Sequence, residues 1–426
     1  MDYNDYQVQE PVQPPVTEAP PRKNRWILWF FLGLAGGLLV SCIFMTILIT
    51  VAARSGLLIN LTGGATAESI TDESVINKLD RITYMIDSYF YNDVSTEDLI
   101  DGMYHGVVEA LGDKYSVYYN EEEWEQVNSD LSGIYYGIGS YVAIDETTNY
   151  TCLTKIIKGT PAEAAGLLDG DLLYSVDGTE TYGVELDAVV SMIRGEEGTS
   201  VHLQIIREGE EDLLEFDVMR AKVETPTVTY EMMEDQIAYI EISAFDSVTA
   251  QQFKTAFEQA KEDGMKGLII DIRNNGGGYL DVVVDVLRNF MPEGVIVYTI
   301  DKYGYREDYN CSGGSELDVP MVVLVNQYSA SASEIFAGAV RDYEIGTLVG
   351  TTTFGKGIVQ TILNLGDDTY VKLTTSSYYT PSGECIHGVG IKPDVEVEYD
   401  SELYRTEGTD NQLQRAIEIM KEKLAE

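Results

Sequence analysis

The sequence predicts a multidomain α/β protein. Its 426 residues exceed the usual size of one domain, so two or three folded units are expected. From residue 223 onward, apolar strand-like runs alternate with amphipathic helices, as in a layered α/β domain. Residues 132–222 instead hold short strand-like runs broken by glycine and aspartate turns, with two short helices, which is typical of a small barrel-like sandwich.

The charge balance excludes several classes of partner. The formal net charge is −43, whereas binding to phosphate backbones requires clustered lysine and arginine, so no nucleic acid partner is expected. The same acidity opposes docking of the folded part on an anionic lipid surface. The acidic residues are scattered and form no metal-binding constellation, so we expect neither a metal nor another cofactor. An acidic, solvated surface outside the cell is the simplest interpretation.

The N-terminal region predicts a membrane anchor. Residues 1–25 are polar and proline-rich, which is typical of a disordered tail. Residues 26–53 are apolar and uncharged, and their number exceeds the roughly 20 residues that a membrane span requires. Because Arg22, Lys23 and Arg25 precede this run, the N-terminus should be cytoplasmic. We therefore expect a single-pass protein of the cell membrane whose later domains are all extracytoplasmic.

Two other interpretations of the apolar run were weighed. A cleaved signal peptide has a shorter apolar core and ends at a small-residue cleavage site. The stretch Leu39-Val-Ser-Cys42 also resembles a lipoprotein cleavage box. The run continues past Cys42 as far as Val51, and this length favours an uncleaved anchor.

Behind the anchor, the pattern predicts a linker, a helical segment and the two larger units. Apolar residues recur at helical spacing in three stretches, 73–91, 99–111 and 121–131, which we interpret as a packing unit without chemistry of its own. The predicted boundaries are 54–72 for the polar linker, 73–131 for the helical segment, 132–222 for the small sandwich, 223–400 for the α/β core and 401–426 for a C-terminal helix.

The order of motifs within residues 132–222 resembles a PDZ domain. It runs from Tyr136-Gly-Ile-Gly139 through the stretch 159–167 to Val176-Asp-Gly178. The resemblance implies that the loop formed by Tyr136, Gly137, Ile138 and Gly139 offers backbone N–H groups to the C-terminal carboxylate of a peptide, which adds as a strand beside it. A purely structural PDZ fold that binds nothing is the alternative.

Ser331 is the candidate nucleophile. It follows an apolar strand, Met321 to Val325, and stands at the start of an amphipathic helix. Ser331 and Glu334 also fit an ordinary capping box. Both interpretations can hold, because a helix N-terminus supplies free N–H groups and a positive dipole end. The N–H of Ala332 would then be one donor to an oxyanion.

Lys356 is the candidate base. The chain has three histidines: His105 and His202 lie in other modules, and His387 lies in a glycine-rich turn without an evident orienting acid. Lys356 lies between two glycines, beyond a helix and a strand from Ser331. The ordinary lysine pKa of about 10.4 must fall by about 3, which corresponds to roughly 4 kcal/mol and is within what burial can supply. Taken alone, Lys356 also fits an exposed turn lysine.

A glycine-rich turn, Arg273-Asn-Asn-Gly-Gly-Gly278, separates a buried strand from a helix. Such a turn can cradle phosphate, and a nucleotide-handling enzyme is therefore a further hypothesis. No Lys-Ser/Thr pair follows it, however, and it does not match Gly-x-Gly-x-x-Gly. The same backbone could supply the second oxyanion donor, and a plain tight turn also remains open.

Together these features resemble the C-terminal processing peptidases, also called tail-specific proteases. The similarity spans roughly residues 73–420, in the family's order. Tyr328 and Ile358 depart from the family pattern, which usually has a small residue at the first position and commonly a small polar one at the second. The motifs that carry the resemblance are Arg273-Asn-Asn-Gly-Gly-Gly278, Ser329-Ala-Ser-Ala-Ser-Glu334, Phe354-Gly-Lys-Gly-x-Val-Gln360, Thr380-Pro-Ser-Gly383 and Gly390-Ile-Lys-Pro-Asp394.

The resemblance implies a Ser/Lys dyad in a crotonase-like core with an inserted PDZ domain that gates access. Ser331 would be the nucleophile, Lys356 the base and Gln360 the residue that orients the lysine. The oxyanion donors would be the N–H groups of Ala332 and Gly277. The expected function is a membrane-anchored serine endopeptidase that captures and cleaves the free C-terminal tails of extracytoplasmic proteins. A catalytically silent peptide-binding scaffold is the alternative, and self-association into a homo-oligomer is left open.

Overall fold

The computed structural model describes residues 69–314 and 317–425. The predicted cytoplasmic tail, the transmembrane anchor and nearly all of the predicted linker lie outside these residues. Among the helices that fall within the described ranges, none combines the length and the apolar character needed to cross a membrane.

The described residues divide into two units, with the boundary between Leu99 and Ile100. Helix α1 (Glu73–Tyr89) lies in the first unit, and helix α2 (Thr96–Glu109) contains the boundary. Strand β1 (Val117–Tyr119) and helix α3 (Glu121–Ser132) follow. The three predicted helices are confirmed, but the segment also holds β1, which the periodicity did not predict because a strand of three residues carries little pattern.

The unit predicted from the glycine and aspartate turns is a small β-rich domain. Strands β3, β4, β5, β7 and β8 form a sheet in that order, β6 pairs with β5, and β2 pairs with β9. Its core is made of side chains such as Leu153, Leu173 and Leu203. The elements are β2 (Ile134–Gly137), β3 (Ser140–Ile144), β4 (Thr151–Ile156), α4 (Pro161–Ala165), β5 (Leu172–Val176), β6 (Thr179–Glu180), α5 (Leu186–Ile193), β7 (Ser200–Ile206), β8 (Leu214–Met219) and β9 (Ala221–Glu224).

The α/β core contains two sheets, and its alternation of strands and helices confirms the predicted class. The elements are β10 (Val228–Met232), β11 (Ile237–Ile242), α6 (Thr249–Glu262), β12 (Gly267–Asp271), α7 (Leu280–Leu287), β13 (Gly294–Asp301), β14 (Arg306–Cys311), β15 (Met321–Val325), α8 (Ala332–Asp342), β16 (Thr347–Gly350), β17 (Ile358–Asn364), β18 (Tyr370–Tyr379), β19 (Val395–Glu396), α9 (Ser401–Glu407) and α10 (Asn411–Leu424).

The larger core sheet brings the candidate site together. Its strand order is β10-β11-β12-β15-β16-β19, and the neighbours β12, β15 and β16 run parallel. Strands β12 and β15 are buried along their whole length, which explains why they read as continuous apolar runs rather than alternating ones. The glycine-rich turn, Ser331 and Lys356 follow these three strands. They therefore meet at one edge of the sheet, beyond the carboxyl ends of its strands.

The second core sheet carries the segment that precedes the small domain. In it β1 pairs antiparallel with β18, and β17 and β13 also pair with β18. Strand β1 therefore lies in the core, next to the strand that supports the Lys356 loop.

Helix α10 packs on one face of the larger sheet. It buries Ala416, Ile419 and Met420 against strands β12, β15 and β16.

Candidate active site

Ser331 occupies the sharp turn between β15 and α8. Its φ of 55° and ψ of −114° are unusual for a residue with a side chain and cost about 1–3 kcal/mol, a strain that concentrates at functional sites. The predicted cap position is confirmed, because α8 begins at Ala332. The Ser331 N–H donates to Glu334 Oε2 at 3.0 Å. This bond is the Glu334 half of the predicted capping box.

The Glu334 carboxylate joins the two candidate loops. Its Oε2 accepts the N–H groups of Ser331 at 3.0 Å and of Lys356 at 2.8 Å. Its Oε1 accepts the Gly355 N–H at 2.7 Å and the Thr353 hydroxyl at 2.6 Å. The side chain is fully buried, so these four donors take the place of water around the charge. One carboxylate thus fixes the backbone of Ser331 relative to that of Lys356.

Tyr378, on β18, joins the same two loops from the other side. Its hydroxyl lies 2.7 Å from the Lys356 carbonyl oxygen and 3.1 Å from that of Ser331. Burial raises the pKa of Tyr378 well above its ordinary value, and the charge of Glu334 raises it further, so the hydroxyl remains a donor. Sequence reasoning missed this residue, because one tyrosine among the strand residues of β18 carries no local signal.

Lys356 is half-buried, as the hypothesis of a neutral base requires. Burial lowers the pKa of Lys356 below its ordinary value, and the positive charges of Lys372 and Lys114 lower it further, whereas Asp113 and Glu334 act in the opposite direction. The exposed turn lysine that was the alternative interpretation does not describe this environment. The direction of the change is the one that a general base needs at neutral pH.

Gln360, predicted to orient Lys356, bonds to a neighbour on the next strand. Its Nε2 donates to Thr374 Oγ1 at 3.2 Å, and the Thr374 hydroxyl in turn donates to Asp113 Oδ2 at 2.6 Å. Gln360 is therefore hydrogen-bonded to the Thr374–Asp113 pair, which lies beside Lys356. Its direct role on the lysine stays a prediction.

The glycine-rich turn lies directly against Ser331. A Cβ placed on Gly277 would come within 2.8 Å of Ser331 Cβ and 3.1 Å of the Ala332 nitrogen, so this close approach requires glycine. The Gly277 N–H donates to Asn275 Oδ1 at 2.8 Å, so an oxyanion would have to share or replace that bond. Among the described residues, the N–H groups of Ala332, Gly276 and Gly278 have no hydrogen-bond acceptor. Ala332 and Gly277 remain predictions as oxyanion donors.

Asn275 holds this turn in place and was also missed by the sequence argument. It is fully buried, and its Nδ2 donates to the Ile242 carbonyl at 2.9 Å. The main-chain carbonyl oxygen of Asn275 accepts the Ala330 N–H at 3.0 Å and the Ser333 hydroxyl at 2.9 Å. The turn is thereby bonded on both sides of Ser331.

The predicted peptide-binding loop faces a large cavity. Tyr136 and Gly137 lie in β2 and pair with β9, while Ile138 and Gly139 follow the strand. Within the described chain, the N–H groups of Ile138 and Gly139 make no hydrogen bond, as a carboxylate-binding loop requires. The cavity of about 1340 Å³ is lined by this loop, by α5 and by α3. The roles of these four residues stay predictions.

The histidines have other partners. His105 pairs with Glu123 at 3.3 Å and His202 with Asp217 at 2.9 Å. His387 lies beside the lysine loop, where its Nδ1 accepts the Gly357 N–H at 3.3 Å. No hydrogen bond joins any of the three to Ser331 among the described residues. In the same residues, no group of three or more histidine, cysteine, aspartate or glutamate side chains is arranged to hold a metal ion.

Comparison with known proteins shows which families the chain is similar to. Residues 236–397 match the model of peptidase family S41, residues 153–207 match a PDZ domain, and residues 55–123 match the N-terminal domain of the activating protease CtpB. The chain is 33% identical to the carboxy-terminal processing protease CtpA of Bacillus subtilis over 361 residues, which cover 84% of this chain and 77% of that protein.

The chain belongs to the carboxy-terminal processing protease family. It is a serine peptidase with a PDZ domain, and the resemblance drawn from its motifs is confirmed. It is also 34% identical to a probable CtpA-like serine protease of Staphylococcus aureus strain COL, over 87% of this chain and 73% of that protein. Among solved structures, it is similar to a photosystem II D1 C-terminal processing protease, with 29% identity, a TM-score of 0.45 and coverage of 76% of this chain and 86% of that one.

Proposed function

We propose that the chain is a membrane-anchored endopeptidase that uses a Ser331/Lys356 dyad to cleave extracytoplasmic proteins captured by their free C-terminal tails. The observation that carries the proposal is the Glu334 carboxylate, which accepts the N–H groups of both Ser331 and Lys356. Two loops joined in this way place a hydroxyl and a half-buried lysine at one edge of the sheet. A scaffold without catalysis has no need of a lysine whose pKa is lowered by burial.

In the proposed reaction, Ser331 Oγ attacks the carbonyl carbon of the scissile peptide bond while neutral Lys356 Nζ takes the hydroxyl proton. The oxyanion that forms is stabilised by the N–H of Ala332 and by the turn that contains Gly277. The C–N bond then breaks, and the leaving amine receives the proton from Lys356. Water, deprotonated in turn by Lys356, hydrolyses the acyl-enzyme and frees Ser331.

The PDZ domain supplies the tail-binding part of the proposal. The free N–H groups of Ile138 and Gly139 would hold the terminal carboxylate, and the tail would extend along the adjoining cavity as an added strand. The uncharged run at residues 26–53 would anchor the enzyme, with the PDZ and protease domains outside the cytoplasm.

Substitution of the dyad tests the chemistry. We expect Ser331→Ala and Lys356→Ala to abolish cleavage of a quenched fluorescent peptide with a free C-terminus by the purified full-length chain in detergent. Lys356→Arg should fail as well, because arginine does not deprotonate at working pH. Exposed Lys266→Ala is the control and should cleave normally. Full activity in any dyad variant would refute the assignment, and tail binding without turnover by the unmodified chain would favour the silent scaffold.

A second experiment tests capture of the carboxylate. The same peptide is supplied with a free and with an amidated C-terminus, and cleavage rates are compared at concentrations below KM. We expect the free form to be cleaved faster, because only it carries the charge that the Ile138–Gly139 N–H groups would hold. Equal rates would contradict carboxylate capture while leaving the dyad intact.

A further inference from the structure

The turn between α2 and β1 reaches the catalytic lysine. This turn, residues 112–116, precedes the PDZ domain in the chain and lies in the segment that the sequence marked as mere packing. The Tyr115 ring is half-buried, and its centroid lies 4.7 Å from Lys356 Nζ. At this distance an aromatic face attracts the ammonium form of lysine, and the ring also bounds the space that the neutral amine can occupy. Neither the motifs nor the family comparisons assign a role to Tyr115.

Asp113 fastens this turn to the protease core. Its Oδ2 accepts the hydroxyl groups of Ser116 at 2.7 Å and of Thr374 at 2.6 Å, and its Oδ1 accepts the Tyr115 N–H at 3.1 Å. The Thr374 N–H also donates to Ser116 Oγ at 3.1 Å. These hydrogen bonds lower the pKa of Asp113, so it stays ionised and keeps accepting them at neutral pH.

The strand that follows the turn fixes its register. Val117 pairs with Lys372 and Tyr119 with Tyr370 in the β1–β18 ladder. Lys372 Nζ also lies 2.6 Å from the Tyr119 hydroxyl. Tyr115 thus lies between the Asp113 bonds and a paired strand, so its backbone has a defined position from which the ring reaches Lys356.

Lys356 needs such a surface, because its own side chain is flexible. A lysine side chain has many rotamers, and a misplacement of about 1 Å in a reacting group can cost about 100-fold in rate. The bonds from Glu334 and Tyr378 fix only the Lys356 backbone. Gln360 bonds to Thr374, which belongs to the same anchor as Tyr115. The Tyr115 ring, by contrast, lies next to Nζ, the atom of Lys356 that would take the proton.

We propose that Tyr115 is a positioning residue of the catalytic centre, whose ring supports the Lys356 side chain and is held in place by Asp113 and Thr374. This inference rests on the proposed dyad. It makes the segment before the PDZ domain part of the site where Ser331 is activated. Because the ring acts through Lys356 rather than on the substrate, its loss should affect the chemical step and leave peptide binding unchanged.

The test compares steady-state kinetics of full-length variants with the free-tailed quenched peptide. We expect Tyr115→Ala to lower kcat by about tenfold or more with KM within about threefold of the unmodified enzyme. Tyr115→Phe keeps the ring and should restore kcat. Tyr303→Ala is the matched control, since Tyr303 is an exposed tyrosine whose ring centroid lies 4.9 Å from Lys302 Nζ in the β13–β14 hairpin. Its kcat should be unchanged.

A normal kcat in Tyr115→Ala, or equal losses in the Ala and Phe variants, would overturn the role of the ring. If Tyr115→Ala does not fold, Ser116→Ala decides, because it removes a hydroxyl bonded to Asp113 without touching the ring or the bond of Gln360. Reduced kcat with unchanged KM and melting temperature supports the proposal, and normal kcat contradicts it. Failure of the dyad itself is distinguishable, because it would appear as activity in Ser331→Ala.

Discussion

At Lys356, burial and neighbouring charges act on a single ammonium group. Burial is the largest influence and favours the neutral form, and Lys372 and Lys114 add repulsion in the same direction. Asp113 and Glu334 favour the charged form. Both carboxylates nevertheless accept hydrogen bonds from the segments around the lysine. The site therefore places its positioning carboxylates near the base and offsets them with lysines.

Lys372 provides a test of this balance. Lys372→Gln removes a positive neighbour, so the pKa of Lys356 should rise. Since the base acts only when neutral, the acidic limb of the kcat/KM profile should move to higher pH, and kcat/KM at pH 7 should fall severalfold. The profile is measured from pH 5 to 9 with the free-tailed peptide. Lys372→Arg keeps the charge and should leave the limb in place; an unmoved limb in Lys372→Gln would show that the charge has no influence.

Among the secondary structure elements, the three parallel strands β12, β15 and β16 are the ones whose sequence pattern led to the candidate site residues. Apolar runs marked β12 and β15, and each was followed by residues suited to chemistry, Gly277 and Ser331. A return strand, β16, led to Lys356. The carboxyl ends of neighbouring parallel strands share one edge, which explains why these three groups meet; the sequence placed them in one site through the family resemblance. Element types were predictable, since long periodic runs carry most of the signal.

The supporting side chains could not be predicted in this way. Tyr378 is 47 residues from Ser331 in the sequence, and the two are in contact because β18 packs against both loops. Thr374 and Asp113 are 261 residues apart. Glu334 was visible as a cap, but its bonds to Gly355 and Lys356 depend on tertiary structure. Local pattern identifies the reacting groups, whereas long-range packing selects the residues that hold them.

The bonds of Glu334 give a prediction at the level of α8 and its neighbouring loop. Glu334→Gln replaces one acceptor oxygen by an NH₂ donor, which must then face either the Ser331 and Lys356 N–H groups or the Gly355 N–H and Thr353 hydroxyl. Each buried donor left unpaired costs about 1–3 kcal/mol. We expect kcat to fall about tenfold or more and the melting temperature to drop, as measured by peptide kinetics and thermal unfolding.

Glu384→Gln is the matched control. Glu384 is exposed and accepts a hydrogen bond from Arg341 at 2.6 Å, so the same substitution there removes a surface ion pair with little effect on stability. If Glu334→Gln retained the kcat of the unmodified enzyme, the carboxylate would not be required to join the two loops.

Over the whole molecule, the C-terminal end of α3, before the PDZ domain, meets the core at Ser247. The Ser247 N–H donates to the Leu131 carbonyl at 3.3 Å, and the Ser247 hydroxyl bonds to the Ser132 carbonyl. Asp246 lies half-buried at this junction. Burial, and secondarily the charge of Asp130, raises the pKa of Asp246 to about 6. In a chain with a net charge of −43, this junction joins two like charges.

Asp246 should therefore make the folded state less stable at neutral than at acidic pH. Its pKa of about 6 in the folded protein lies above the ordinary value of 3.8, so the folded state binds more protons between these values and stability falls as pH rises through them. Asp246→Asn removes the charge. We expect it to raise the melting temperature at pH 8, with a smaller gain at pH 5, as measured by thermal unfolding of the full-length chain in detergent.

The control separates this local effect from the general relief of negative charge. Asp212→Asn makes the same charge change at an exposed position between β7 and β8. An equal gain in both variants would show that net charge, rather than the buried pair, limits stability. A gain in Asp246→Asn that does not depend on pH would also contradict the argument, because the penalty exists only while the Asp246 carboxyl is ionised in the folded protein. A gain confined to Asp246→Asn and growing from pH 5 to pH 8 would locate a strained contact where the helix preceding the PDZ domain meets the protease core.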